Sequence, residues 1–210
     1  MRATTAIALP ILFAIAIGGG ALSAQGPAMP TTPPGAADAT RVTSGTYTND
    51  AGHTLVGWRV NHFGFNDYFG QFGNATGTLV LDTATPANSR VDMTIPVNGL
   101  SAANAQLITH MLSADFFDVA AHPTARFVSR HVMVDGTRAT IHGDLTIKGQ
   151  THPVALNAEF VGAGTNPFNQ KQTVGFHATT TIKRSEFGLG YGIPLVSDDV
   201  QLTITTAFEK

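Results

Sequence analysis

Between His62 and Phe72 the chain sets one histidine and five aromatic rings, Phe63, Phe65, Tyr68, Phe69 and Phe72, within eleven residues. Rings at that density either complete a folded core or line a cavity in which an extended apolar ligand finds smooth contact area. His62 is the polar member of the group. The alternation Val56, Trp58, Val60, His62 puts its imidazole on the apolar face of a strand, and a buried imidazole is held there by a hydrogen bond, from the protein or from a ligand headgroup. Farther on, Lys183 and Arg184 end another alternating stretch beside Phe187. Such a pair is either a solvated strand end or, at a barrel mouth, an attractor for an anionic headgroup such as a phosphate. The ligand-contacting set on this reading is Trp58, Val60 and His62 on the strand, Phe65, Tyr68, Phe69 and Phe72 after it, and Arg184 as the cation at the rim.

Other chemistries lack their residues. The eight histidines, His53, His62, His110, His122, His131, His142, His152 and His177, contain no His-x-His or His-x-x-x-His pair, and cysteine is absent, so no metal centre is expected. No Gly-x-Ser-x-Gly elbow lifts a nucleophile, and Asp198-Asp199 reads as a solvated turn before a strand, not an acid/base dyad. The glycine-rich run Gly188-Leu189-Gly190-Tyr191-Gly192 lacks the Lys-Ser/Thr ending of a phosphate loop. With 12 basic against 14 acidic side chains and no basic cluster denser than Lys183-Arg184, nucleic acid is set aside. The chain therefore reads as a binding protein without catalytic residues, metal or cofactor.

Strands must position the aromatic block. Period-two alternation recurs at Val91-Met93-Ile95-Val97, Ala139-Ile141-Gly143-Leu145-Ile147, Val154-Leu156-Ala158-Phe160, Val174-Phe176-Ala178-Thr180-Ile182 and Val200-Leu202-Ile204-Thr206-Phe208. With the strand ending at His62 and shorter runs at Thr76–Asp82 and Ala125–Met133, about eight strands are expected. Turns at Thr83–Ser89, Asp135-Gly136 and Lys148-Gly149-Gln150 make neighbours antiparallel. One segment changes period: from Ser101 to Ser113, Leu107, Ile108, Met111 and Leu112 fall at helical spacing, with Ser101 as the cap. Gly162–Asn169 and Gly188–Pro194 read as surface or rim loops. An all-β domain with one short helix follows, its strands either closed into a barrel or stacked as a sandwich.

The beginning of the chain reads differently. Arg2, the apolar run Ile7–Ile17 and the small residues to Ala24 form an export signal over residues 1–24, and residues 25–41, rich in Pro and Ala, form a flexible tether. Residues 42–210 are then one domain in an exported protein, and the lack of cysteine makes it depend on its buried core.

From Thr43 to Glu209 the chain resembles the YceI-like family. The resemblance rests on His53, the His62–Phe72 block, His110–Asp118, Pro123–Phe127, Gly143–Gly149 with Pro153-Val154, Gly175-Phe176 and Phe187. It implies an eight-stranded antiparallel lipocalin-like barrel with one short helical insertion, a periplasmic or secreted location, and an isoprenoid lipid or quinone as ligand. Phe117, Phe127 and Phe176, in the matching segments, join the ligand-contacting set. Where many relatives carry an Arg-Asp pair before the His110 position, this chain has Leu107-Ile108. The resemblance further implies transient contact with a membrane or a membrane redox protein. A barrel enzyme acting on a lipid or quinone, and a ligand-free stress or interaction protein, are the alternative readings.

Overall fold

Eleven antiparallel strand segments carry the alternation. They are β1 (Gly45–Asn49), β2 (Leu55–His62), β3 (Asn66–Phe72), β4 (Thr76–Leu81), β5 (Arg90–Pro96), β6 (Leu100–Ala102), β7 (Thr124–Asp135), β8 (Arg138–Ile147), β9 (Gln150–Thr165), β10 (Gln172–Lys183) and β11 (Asp199–Glu209), with one α-helix, α1 (Ala105–Leu112). These belong to a computed structural model that describes residues 30–210. The export signal expected over residues 1–24 lies outside the described residues.

The eleven segments are eight staves. β1 and β2 both pair with β11, through Thr48↔Glu209 and Arg59↔Gln201 respectively. β4 pairs with β1 while β3 pairs with β2, and β5 pairs with β4 while β6 pairs with β3. The first six segments are therefore three long strands, each broken once. With β7 to β11 they form an eight-stranded antiparallel sheet that the β1–β11 pairing closes into a barrel. The eight-stranded barrel that the family resemblance implies is the one observed, and the sandwich left open by the strand pattern is not.

All three breaks lie side by side. The first is a short turn at Ala51–His53, the second residues 73–75, the third a turn at Val97–Gly99. The Gly73 amide donates to the Gly99 carbonyl at 3.1 Å. Asn49, nearly buried, donates through Nδ2 to the Ala75 carbonyl at 2.6 Å and to Thr54 Oγ1 at 3.3 Å. Backbone groups freed by one break are thus satisfied by another. Beyond the breaks β6 pairs only with β3 and leaves the side toward β7 open.

Helix α1 fills that opening. Its N-cap is Asn104, whose Oδ1 accepts from the amides of Gln106 and Leu107. The cap expected at Ser101 is corrected: Ser101 lies in β6 opposite Gln71. Met111 is buried, and Leu107, Ile108 and Leu112 pack onto the same core cluster as Trp58, Phe117, Leu145 and Phe187. A second cluster, around Tyr47, Ala163, Val174 and Phe208, occupies the other end of the barrel.

Two further expectations change. Residues Gly162–Thr165 belong to β9, so only the part of the Gly162–Asn169 segment after Thr165 is a loop. The segment 25–41, expected to be a free tether, is bonded to β9 in its described part. Ala36 and Ala163 exchange amide–carbonyl hydrogen bonds of 3.1 and 2.9 Å, and Arg41 Nη1 reaches the Pro34 carbonyl at 3.3 Å. Glycines at 162 and 164 permit this, because a Cβ on either would press on the Ala36 or Pro34 backbone.

Large inward rings lie against glycines of the next strand. Trp58 covers its partner Gly70, and Phe127 covers Gly143. The rings thereby lie along the wall and leave the barrel axis free. A Cβ at Gly70 would fall on the Trp58 indole and within 2.7 Å of the Ser101 carbonyl oxygen. Gly70→Ala should therefore lower stability by about 1–3 kcal/mol, the usual cost of overpacking, measured by chemical denaturation, and it should shift the emission of Trp58, the chain's one tryptophan. Unchanged unfolding would mean the indole does not lie on Gly70.

Candidate functional site

Inside the half of the barrel beyond the breaks lies an apolar cavity of about 740 Å³. β2 contributes Val56, Trp58, Val60 and His62 to its wall, each two residues from the next, as the pleat requires. β3 adds Tyr68 and Phe72, and α1 adds Leu107, His110 and Met111. After the helix, Phe116 and Phe117 enter, Phe117 meeting Phe72 edge-to-face with centroids 5.6 Å apart. Leu145, Ile147, Ile182, Val200 and Leu202 complete the far side. A second apolar cavity of about 340 Å³ lies toward the other end, where Phe176 packs edge-to-face between Phe160 and Phe208. Val56 and Ile95 belong to both walls.

Of the residues expected to contact a ligand, Trp58, Val60, His62, Tyr68, Phe72, Phe117 and Arg184 line the larger cavity and Phe176 the smaller. Phe127 is in the core cluster, over Gly143, and in neither wall. Phe65 and Phe69 are corrections: they are 88% and 62% exposed and point away from the cavity. Phe65 sits in the β2–β3 turn and Phe69 on the outer face of β3, one residue out of phase with Tyr68. The His62 ring lies edge-to-face with Phe63 at 4.1 Å.

The mouth is made by two loops. Phe63 in the β2–β3 turn and Tyr191, Leu195 and Val196 in the segment before β11 line the opening, joined where the Phe63 amide donates to the Leu195 carbonyl at 2.7 Å. Tyr191 and Leu195 stand outside any periodic pattern, so the sequence marks their segment only as a glycine-rich rim loop.

Arg184 differs most from expectation. It is not a rim cation but is buried, with 3% of its surface exposed. Its Nε donates to the Ser197 carbonyl at 2.9 Å, Nη1 to the carbonyls of Tyr191, at 2.8 Å, and Leu189, and Nη2 to that of Val196 at 2.9 Å. The guanidinium thus clamps the whole mouth loop, and it also stands 6.0 Å over the Phe116 ring. Burial pulls its pKa below the ordinary arginine value, and the Asp198 charge opposes that pull. Glycine at 188, with φ of 72°, starts the loop in the left-handed region. Asp198 accepts from the Ser185 amide and hydroxyl, both at 2.8 Å. Burial pushes its carboxyl up, but those bonds with Lys183 and Arg184 hold it below the usual carboxylate range. Lys183 pairs with Asp199 at 2.9 Å, away from the cavity wall.

Among the described residues, the wall of the larger cavity carries no carboxylate, serine, threonine or lysine. The wall is apolar, with a few polar groups set into it, which is the build of a site for an extended apolar molecule.

Comparison with known proteins agrees with this geometry. Residues 47–208 match the model of the YceI-like domain. A UPF0312 protein of Pectobacterium atrosepticum is 35% identical over 152 residues, covering 72% of this chain and 79% of that protein. Protein YceI of Escherichia coli O157:H7 is 35% identical over 153 residues, with 73% and 80% covered. Among solved structures, BcnA of Burkholderia cenocepacia superposes with a TM-score of 0.66 at 25% identity, over 73% of this chain and 95% of that one. A polyisoprenoid binding domain from Saccharophagus degradans superposes with a TM-score of 0.57 over 78% and 97%, at 16% identity, a likeness of fold.

Arg184→Lys tests the clamp. Lysine is a point charge with three donors and cannot reach four carbonyls arranged around a planar fork. The variant should lose about 1–3 kcal/mol of stability from unsatisfied carbonyls, and hydrogen exchange should rise across residues 188–197. Retention of both would show that the loop holds itself.

Proposed function

Since the chain belongs to the YceI-like family, we propose that it is a non-catalytic binding protein that carries a long isoprenoid lipid, a polyprenyl chain or isoprenoid quinone, inside its barrel in the periplasm. The observation that supports this reading most directly is the apolar cavity between β2, β3, α1 and the mouth loop, with the second cavity beyond Val56 and Ile95. Each CH₂ moved from water into such a wall contributes about 0.8 kcal/mol, so an isoprenoid chain supplies its own driving force. The relative described as a polyisoprenoid binding domain supports the same ligand class. The export signal expected over residues 1–24 accords with a periplasmic carrier.

Exchange with a membrane is the finer part of the proposal. The mouth exposes Phe63, Tyr191 and Leu195, and Phe65 projects beside them. Apolar rings around an apolar opening suit a site that rests on a lipid surface while the tail crosses.

Two measurements test these statements. Organic extraction of the purified protein followed by mass spectrometry should yield a prenyl lipid, and the lipid-stripped protein should take one up; a protein that carries none and binds none is not a carrier. Phe65→Ser removes a ring outside the cavity, so unfolding should be unchanged. Binding to phosphatidylethanolamine–phosphatidylglycerol vesicles should weaken roughly tenfold, as expected for one lost aromatic anchor. Equal vesicle binding by both proteins would remove the membrane step.

A further inference from the structure

The smaller cavity is walled in part by chain that lies outside the family domain. Ala39 and Val42 line it, and both precede residue 47, where the match to the YceI-like domain begins. Val42 also packs on the cluster of Tyr47, Val174 and Phe208 at that end of the barrel. The turn after β4, through Thr83 and Pro86, and the turn after β7, through Gly136, line the same cavity.

Residues 36–42 are fastened there as a strap. β8 leaves β9 after the Arg138↔Glu159 pair, and the β9 edge beyond it is taken by Ala36 through its two hydrogen bonds with Ala163. Asp38 caps the turn Ala39–Arg41 by accepting from the Thr40 amide at 2.9 Å. Gln172 of β10 holds the other end: its Nε2 donates to the Arg41 carbonyl at 2.7 Å, and its Oε1 accepts from the Thr43 hydroxyl at 2.6 Å. Ordering these residues costs conformational entropy that a simple link to the preceding chain would not need to spend. Tied at both ends, the strap holds Val42 against the cavity.

The two cavities share Val56 and Ile95 in their walls, so an apolar chain that fills the larger one and continues past these residues enters the smaller. A short chain stays on the mouth side of Val56 and Ile95. A long one runs on until it meets the strap.

We propose that the strap is a tail-length determinant: Ala39 and Val42 form the end wall of the prenyl channel, and they decide how long a chain the barrel takes in whole. This rests on the cavity being a prenyl-lipid site. It adds a selection among ligands by tail length, exercised by residues that the family domain does not include.

Trp58, the only tryptophan, lines the larger cavity, so its emission reports short and long chains alike. Lipid-stripped protein and its Val42→Phe variant are titrated with farnesol and with solanesol, which are both prenyl alcohols and differ in tail length. The added ring occupies the end of the channel, so solanesol should bind the variant at least about tenfold more weakly, while farnesol changes by less than about twofold. A strap that only braces the fold would shift both ligands together or neither. In the unaltered protein, solanesol should slow hydrogen exchange across residues 36–43 and farnesol should not, and this comparison decides the matter should Val42→Phe not fold. If the variant treats both alcohols alike, if both protect the strap equally, or if solanesol does not bind, the length assignment falls while the cavity reading stands. If neither alcohol alters Trp58 emission, both fall.

Discussion

The breaks at residues 51–53, 73–75 and 97–99 are the constraint from which the rest of this barrel follows. Three neighbouring strands interrupt their ladders at one level, where the freed backbone groups find one another through Gly73, Gly99, Ala75 and the Asn49 amide. Below that level the eight staves close on themselves through β1 and β11. Above it β6 parts from β7, and a closed barrel becomes one with a side opening. Only that opening admits α1 and the Phe116-Phe117 turn as part of the wall. An unbroken eight-stranded barrel is just wide enough to fill with its own side chains or to hold one small ligand, and the closed half here keeps only the smaller cavity.

Arg184 shows the same economy at the mouth. Irregular backbone lining a cavity leaves carbonyls that strands would have paired, and burial makes them expensive. One guanidinium accepts four of them as partners. The charge is balanced through space by Asp198 and has no direct ion pair among the described residues, so its stabilisation comes from oriented carbonyl dipoles. The result is a loop fixed tightly enough to present Tyr191 and Leu195 outward and Val196 inward.

What the sequence shows of this depends on periodicity. Six of the eight staves announce themselves by alternation, because one face of each is buried over most of its length, and the count of eight holds although β1, β3 and β6 pass unseen. β3 hides inside the aromatic block: Phe65, Phe69 and Tyr68 look alike in composition, and only the pairing Val60↔Tyr68 decides which ring enters. Phe65 and Phe69 fall outside the cavity for that reason, while the phase of β2 carries Trp58, Val60 and His62 into its wall. The helix cap moved to Asn104 because Ser101 prefers a three-residue strand that exists only through tertiary pairing with β3. Arg184 was legible as a charge at a strand end but not as a clamp, since its four partners lie on a loop without pattern.

A cavity of this size persists because its wall is well packed. The indole of Trp58 and the ring of Phe127 lie flat over Gly70 and Gly143, so each large side chain spends its volume along the sheet and little of it along the axis. Replacing those glycines by ordinary residues would push the rings inward and close the space. Leaving the space open forfeits dispersion contacts on one side of every lining residue. On the proposed function that deficit is made good by one event, entry of a molecule that is apolar along its length. A ligand that binds only the folded barrel stabilises the fold by RT ln(1 + [L]/Kd), roughly 2.7 kcal/mol at a hundredfold excess over Kd. On the proposed function, a barrel that stops short of filling itself exchanges part of its own stability for affinity.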